Sequence, residues 1–194
     1  MDIVLATRNK KKIGEMKRIT KDMGISILTL DDFPGCPEVV EDGATFEENS
    51  TKKARAVAAF TGKAALADDS GLEVFALKGA PGILSARFAG KEADDRKNTE
   101  RLLFEMRSVS MEKRGARFVC CIALAFPDGR IHTFQGYAEG TIGKEQRGSR
   151  GFGYDPVFFP EGHNRTFAEM DDAEKDALSH RGKALKALQE FLGT

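Results

Sequence analysis

The sequence predicts an α/β protein built on a mixed sheet, and three observations support this. Apolar runs of strand length alternate along the chain with segments in which apolar residues recur at helical spacing. Residues 117–126 are apolar on both faces from Phe118 onward, which is typical of a central strand. The turn Pro-Asp-Gly-Arg at residues 127–130 predicts a hairpin with residues 131–142, and therefore at least one antiparallel strand pair.

The N-terminal elements follow from the same patterns. Residues 3–6 form a short apolar run typical of a buried strand, and residues 25–30 predict a second strand. A loop rich in proline, glycine and acidic residues occupies residues 31–43. Between the two strands the sequence predicts a helix ended by Gly24, with apolar residues three or four apart at Ile13, Met16, Ile19 and Met23.

The later helices and strands are predicted from the same kinds of pattern. Thr45 and Glu48 fit a capping box, which predicts a helix that ends at Thr61 and Gly62. A short strand over residues 64–67 is expected to end on Asp68-Asp69-Ser70-Gly71. The remaining predictions are a strand-like segment over 72–85, an amphipathic helix over 94–107, a short strand over 157–159 and one continuous last helix over 173–192.

Composition and charge exclude several classes of protein. The 194 residues include 30 Lys and Arg against 30 Asp and Glu, whereas proteins that bind duplex DNA through bulk electrostatics carry a basic excess. A hydrophobic content of 41 % argues against a disordered chain, and no apolar run approaches the roughly 18 residues that span a bilayer. The N-terminus lacks the pattern of a signal peptide. We expect one domain over residues 1–194, cytoplasmic, with neither nucleic acid nor membrane as a partner.

The three cysteines indicate a reducing compartment. The chain has no CxxC motif and no Cys/His pair at zinc spacing. Cys120 and Cys121 are adjacent on a predicted strand, so their side chains face opposite ways and do not readily bridge each other. We expect buried, small apolar side chains, although the polar, proline-rich surroundings of Cys36 also allow exposure.

The segment Thr7-Arg8-Asn9-Lys10-Lys11-Lys12 predicts an anion site. It lies at a turn from strand to helix, where backbone N–H groups and the positive end of the helix dipole are presented. Its hydroxyl, amide and ammonium donors suit a phosphate chain, although the glycines of a Walker A loop are missing. The alternative is a solvated basic helix start, in which the cations oppose the dipole.

Asp68-Asp69-Ser70 predicts a magnesium site. Open α/β sheets bind ligands at the carboxyl ends of strands, and carboxylates are ligands that Mg²⁺ prefers. A carboxylate there can also accept a proton from an attacking water. A simple polar turn is the alternative. Glu38, Glu41 and Asp42 add acid in the preceding loop, where acidic residues are usually only solvated.

The segment Gly151-Phe152-Gly153-Tyr154-Asp155-Pro156 is a candidate for binding a flat ring. Its glycines allow close approach of the backbone, its aromatic rings can stack, and Asp155 can bind polar edges. A turn in the core is the alternative. In the last predicted helix, Lys175 and Ser179 are four apart and share a face, flanked by His180 and Arg181. A lone helical histidine is more often structural than functional.

Together these segments resemble the inosine triphosphate pyrophosphatases, the non-canonical purine NTP pyrophosphatases that act on dITP and XTP. The similarity covers nearly the whole chain, and the order and spacing of the motifs make it specific. The basic run at residues 8–12 replaces the usual loop that contains glycine or proline. The motifs are Thr7-x-Asn9-x-x-Lys12, Phe46-Glu47-Glu48-Asn49 with Lys53, Ala67-Asp68-Asp69-Ser70-Gly71-Leu72, Gly79-x-Pro81-Gly82, Ser85-Ala86-Arg87, residues 151–156, Phe167-Ala168-Glu169-Met170 and Ser179-His180-Arg181.

The resemblance implies an elongated mixed sheet flanked by helices, in two lobes with a cleft between them. It implies a homodimer and Mg²⁺-dependent hydrolysis of ITP, dITP and XTP to the monophosphate and pyrophosphate. Asp69 would be the general base and a metal ligand, together with Asp68 and either Glu38 or Glu41. The implied substrate contacts are Thr7, Asn9, Lys12 and Lys53 at the triphosphate, Ser70 at the nucleotide, Phe152, Gly153, Tyr154 and Asp155 around the base, and Lys175, His180 and Arg181 near its 6-oxo edge.

Two other functions stay open at this point. One is a related pyrophosphatase that acts on modified pyrimidine nucleotides, which would share the phosphate and metal chemistry. The other is a non-enzymatic nucleotide-binding or RNA-binding module that uses the lysine-rich loop, against which the neutral net charge argues. For purines, donors that face O6 would reject adenine, because its amino group would leave them unpaired.

Overall fold

The predicted α/β class is confirmed by a computed structural model that describes residues 1–92 and 94–193. In this part of the chain six strands form one sheet in the order β2-β1-β3-β4-β5-β6. The pairs β1–β2 and β1–β3 are parallel and β5–β6 is antiparallel, so the sheet is mixed. The strands are β1 (Asp2–Leu5), β2 (Ser26–Leu28), β3 (Ala64–Val74), β4 (Gly115–Ala125), β5 (Ile131–Ile142) and β6 (Phe158–Pro160).

The α-helices of the described residues flank this sheet. They are α1 (Lys10–Ile19), α2 (Phe46–Thr61), α3 (Asp95–Glu105), α4 (Asp172–Leu178) and α5 (His180–Leu192). Strand β4 lies between β3 and β5 and is buried along nearly its whole length, which confirms the central strand predicted from its two apolar faces. No helix among the described residues is long and apolar enough to cross a membrane.

The chain forms two compact units, each with its own core. The first unit comprises Met1–Asp69, Cys120–Gly136 and the segment that begins at Arg181. The second unit comprises Ser70–Val119 and Tyr137–His180. The larger clusters of buried apolar residues belong to β1, α1 and α5 in the first unit and to Phe118, Phe158 and Phe167 with their neighbours in the second. The single domain and the cleft expected from the sequence stay predictions.

Side-chain caps fix the helix boundaries. Oδ1 of Asn9 accepts the backbone N–H groups of Lys11 and Lys12 at the start of α1. At the start of α2, the Thr45 hydroxyl accepts the Glu48 N–H, as predicted, but the Glu48 carboxylate accepts from Ala44 rather than from Thr45. Helix α1 ends at Ile19 rather than at the predicted Gly24.

Two boundaries that matter for the site differ from the prediction. Strand β3 runs through Asp68-Asp69-Ser70-Gly71 to Val74, so the acidic pair lies within a strand and not at its end. The last helix is broken at Ser179, where φ is −70° and ψ is 155°. The apolar periodicity hides this break because Leu178 and Leu185 are seven residues apart, yet Leu178 packs on the core of the second unit and Leu185 on that of the first.

Candidate active site

Six charged side chains of the first unit converge on the middle of β3. We call them the acid–lysine cluster; they are Lys12 on α1, Glu41 in the loop before α2, Lys53 on α2, Asp68 and Asp69 on β3, and Arg181 on α5. Because successive side chains of a strand point to opposite faces, Asp68 and Asp69 meet different members of the cluster.

Asp69 is the carboxylate whose charge is least satisfied. Its residue surface is 7 % exposed, and Oδ2 has no hydrogen-bond partner among the described residues. Burial raises the pKa of Asp69 to about 6, although Lys53, Lys12 and a hydrogen bond from the Asn49 side chain act in the opposite direction. A buried oxygen without a partner and a pKa near neutrality suit a group that binds a cation or accepts a proton.

Asp68 is held by cations on both oxygens. Its Oδ1 accepts from Lys12, and its Oδ2 accepts from Nε of Arg181 at 2.9 Å and from the Cys120 thiol at 3.0 Å. Burial raises the pKa of Asp68, but Arg181 and Lys12 outweigh burial and hold that pKa well below its usual range. A metal ion at Asp68 would have to displace these partners, and the metal role expected from the sequence stays a prediction.

Arg181 pairs with carboxylates on two elements. The residue is 1 % exposed, and its guanidinium bonds to Asp68 and to Glu15 of α1; its expected contact with a base stays a prediction. The pKa of Arg181 is raised because these carboxylates outweigh the effect of burial. Arg181 thus links α1, β3 and α5 within the acid–lysine cluster.

Lys53 joins the loop acid to the strand. Its ammonium donates to the backbone carbonyl of Asp68 at 2.8 Å and to Oε1 of Glu41 at 2.9 Å, and it lies 3.8 Å from Oδ1 of Asp69. Glu41 is therefore the loop acid that the structure brings to Asp69, whereas Glu38 is exposed elsewhere in the same loop.

The side chains that could act as metal ligands limit how a metal ion could be bound. Among the described residues, no group of three or more His, Cys, Asp or Glu side chains is arranged to hold a metal ion. Mg²⁺ is commonly bound by one or two carboxylates, with water and substrate phosphates completing its shell. Asp69, with a buried oxygen that has no partner, and the nearby Glu41 fit such a site.

The predicted anion segment forms a capped turn. The Thr7 hydroxyl accepts the Asn9 N–H at 3.1 Å, and Asn9 caps α1. Asn9 is exposed, Thr7 and Lys12 are partly exposed, and Lys12 reaches Asp68. The turn thus presents its donors beside the acid–lysine cluster, while the side chain of Arg8 bonds to the backbone carbonyl of Cys36 at 3.0 Å.

The second unit contains a separate aromatic site around Phe152. Nζ of Lys175 pairs with Oδ2 of Asp155 at 2.6 Å, both side chains being almost fully buried, and lies 4.9 Å from the centre of the half-buried Phe152 ring. Oδ2 of Asp155 also accepts the Phe152 N–H at 2.8 Å, which fixes the loop. A flat ring, a cation and a carboxylate side by side suit recognition of a heteroaromatic base.

Two of the other predicted contacts of this unit, Tyr154 and His180, are buried. Tyr154 is buried and donates its hydroxyl to the Ser85 carbonyl at 2.8 Å, which fixes the position of its ring. His180 stacks on Phe118, with ring centres 4.7 Å apart and planes 9° apart. Gly153 accepts a hydrogen bond from Thr99 through its carbonyl, and Ser70 is partly exposed within β3.

Sequence reasoning missed three contributors. Glu15 gave a weak signal, because it lies three residues after Lys12 and so shares a helix face with it. Asn49 was part of a quoted motif without a role, and it bonds to Asp69 and to the Gly43 N–H. Phe118 was named only as the start of the apolar part of a predicted central strand. Cys36 is buried, at 5 % exposure, and not exposed as its polar surroundings allowed.

Comparison with known proteins defines the class of enzyme: the chain is a nucleoside triphosphate pyrophosphatase, a hydrolase. It belongs to the Ham1 family, whose model matches residues 3–191. Both statements confirm the resemblance identified from the motifs.

Relatives and solved structures support the assignment over full length. The dITP/XTP pyrophosphatase of Desulforamulus reducens is 53 % identical over 192 residues, covering 99 % of this chain and 96 % of the relative. The protein of the same name from Geobacter sulfurreducens is 50 % identical over 191 residues, covering 98 % and 96 %. The structure of the Staphylococcus aureus Ham1 protein matches with a TM-score of 0.89 at 40 % identity, covering 100 % of this chain and 98 % of that chain.

Proposed function

We propose that this protein hydrolyses dITP, XTP and ITP to the nucleoside monophosphate and pyrophosphate, with Mg²⁺ as cofactor and Asp69 as general base. The names of the full-length relatives support the substrate class. The observation that carries the mechanism is the Asp69 carboxylate, which is buried, has an oxygen without a partner and has its pKa raised to about 6.

The first mechanistic element is proton transfer from water. Attack on the α-phosphorus requires a water in line with the leaving pyrophosphate and a base for its proton. Oδ2 of Asp69 has no hydrogen-bond partner among the described residues and can accept that proton.

The second element is charge neutralisation. Lys12 and Lys53 carry positive charge beside Asp69, and the turn at Thr7 and Asn9 adds neutral donors next to the start of α1. Mg²⁺, held by Asp69 and Glu41 together with the phosphates, would polarise the phosphoryl oxygens and stabilise charge on the leaving pyrophosphate. Lys53 contacts both Glu41 and Asp69, and its positive charge limits the mutual repulsion of the two carboxylates.

The third element is base recognition by the aromatic site of the second unit. Phe152 supplies a ring for stacking, and Lys175 supplies N–H donors for an oxygen at position 6. Asp155 holds Lys175 through a buried ion pair. An amino group at position 6 would meet a donor instead of an acceptor, and such mispairing in a buried site gives strong discrimination.

The homodimer and the cytoplasmic location belong to the same proposal and rest on the family resemblance. Neither enters the mechanism above.

A panel of nucleotides tests the proposed function. ITP, dITP and XTP should be turned over with kcat/KM at least about 100-fold above that of ATP, dTTP and dUTP. Preferential turnover of pyrimidine nucleotides would replace the proposal by the pyrimidine alternative. Binding without turnover, with a steep salt dependence, would favour the binding-module alternative.

A further inference from the structure

A row of four buried or partly buried charges connects α1, β3 and α5 in the first unit. Lys12 bonds to Oδ1 of Asp68, Nε of Arg181 bonds to Oδ2 of Asp68, Nη1 of Arg181 bonds to Glu15, and Glu15 lies on α1 three residues from Lys12. Asp68 is 0 % exposed, Arg181 1 % and Glu15 7 %. The signs alternate along the row from Lys12 through Asp68 and Arg181 to Glu15, so each of the three ion pairs joins opposite charges.

We propose that Glu15 is a positioning residue for phosphate binding, which acts through Arg181 and Asp68 to fix the ammonium of Lys12. The inference rests on the proposed function, because it takes Lys12 as a ligand of the substrate's phosphates. Glu15 itself touches no substrate in this account.

The physical reason is competition for one carboxylate oxygen. Arg181 bonds to both oxygens of Asp68, but unequally: Nε lies 2.9 Å from Oδ2, and Nη2 lies 3.4 Å from Oδ1, the oxygen that Lys12 also contacts. A guanidinium prefers to pair with both oxygens of a carboxylate. Glu15 bonds to Nη1 of Arg181 and so opposes a shift of the guanidinium toward Oδ1 of Asp68. Without the Glu15 charge, the bond from Nη2 of Arg181 to Oδ1 of Asp68 would shorten and the bond from Lys12 to the same oxygen would weaken.

The sign of the effect separates positioning from simple electrostatics. Removal of a negative charge near an anion site would by itself strengthen anion binding. If the Lys12 ammonium were no longer held in a fixed position, anion binding would weaken. A substitution that removes the Glu15 charge therefore gives opposite results under the two explanations.

The experiment measures binding of inorganic pyrophosphate with Mg²⁺ by calorimetry, which requires no turnover. Glu15→Gln should raise the dissociation constant about tenfold, and Glu15→Asp, which retains the charge, should recover part of the loss. In a Lys12→Met background, Glu15→Gln should change the dissociation constant less than about twofold, because the two residues act in series. Glu73→Gln is the matched control, since it removes a carboxylate that pairs with Arg117 at 2.7 Å in the second unit.

Tighter or unchanged binding by Glu15→Gln would overturn the inference, and so would a full tenfold loss in the Lys12→Met background. Failure of wild-type protein to bind pyrophosphate would overturn it as well. Binding by the wild type without hydrolysis of ITP would instead sink the proposed function and leave the positioning role tested on its own. Circular dichroism of each variant checks that the fold is retained.

Discussion

Nζ of Lys53 lies 3.8 Å from Oδ1 of Asp69, while Oδ2 of the same carboxylate has no hydrogen-bond partner among the described residues. One oxygen of the carboxylate thus lies near a cation, and the other is available to accept a proton or to bind a metal ion. Burial destabilises the ionised form of Asp69 more than Lys53 and Lys12 stabilise it, so the pKa of Asp69 is raised to about 6.

Asp69→Asn should abolish turnover while leaving the fold intact. The amide has nearly the same shape but cannot accept the proton of the attacking water, so kcat should fall at least about 1000-fold. Steady-state kinetics with ITP measures the loss, and circular dichroism measures the fold. Near-normal hydrolysis by this variant would refute the role of Asp69 as base.

The same substitution should stabilise the protein when no divalent metal is present. A carboxyl group whose folded pKa is raised from 3.8 to about 6 favours folding below its unfolded pKa, and this contribution is lost as pH rises through 6. Asparagine stays neutral, so Asp69→Asn should exceed wild type in free energy of unfolding by an amount that grows to about 3 kcal/mol at pH 7.5.

Urea denaturation in EDTA at pH 4.5 and pH 7.5 gives that difference directly. An advantage of the variant that is the same at both pH values would show that the Asp69 pKa is not raised in the folded protein. A decline of the advantage with rising pH would mean that the pKa is lowered.

Removal of divalent metal should abolish turnover, and the two loop acids should respond differently when they are changed. Glu41→Gln should raise the Mg²⁺ concentration that gives the half-maximal rate about tenfold or more. The reason is that Lys53 contacts both Glu41 and Asp69 and so holds the two carboxylates near each other. Glu38→Gln is the matched control in the same loop and should leave the Mg²⁺ requirement unchanged. The reverse pattern would assign the metal to Glu38.

The aromatic site should be sensitive to one glycine and tolerant at another. Gly151 and Gly153 have φ of +70° and +62°. An alanine at either position would have to adopt this left-handed backbone conformation, which costs roughly 1 kcal/mol. At Gly151 the new Cβ would also lie 2.1 Å from Oδ2 of Asp155, which is held by Lys175, whereas at Gly153 nothing lies within 4 Å.

Gly151→Ala should therefore lower the free energy of unfolding by about 2 kcal/mol more than Gly153→Ala. Urea titrations of the two variants measure the difference. Equal losses would show that the Asp155 carboxylate moves aside at no cost and is not fixed by Lys175.

The sequence was informative where a local rule determines structure. Asn9 and Thr45 cap their helices as short polar residues do, and the two apolar faces of residues 117–126 marked the central strand. The acidic pair at residues 68–69 was predicted to end a short apolar strand over residues 64–67. The strand continues because distant cations satisfy Asp68, and no local pattern contains Arg181, 113 residues away.

The site was predictable as a set of residues and less so as a set of roles. The motifs identified Lys12, Lys53 and Asp69, which the structure brings together. The motifs could not show that Arg181 faces Glu15 and Asp68 rather than solvent, because the break at Ser179 redirects the chain within an apparently continuous helix.

The most direct test of the central claim is an ITP assay with Mg²⁺ that measures inorganic phosphate with and without added inorganic pyrophosphatase. Cleavage between the α- and β-phosphorus in one step gives phosphate only when the helper enzyme is present, with the monophosphate as the nucleotide product. Phosphate release without the helper enzyme, with the diphosphate as an intermediate, would contradict the mechanism proposed for Asp69.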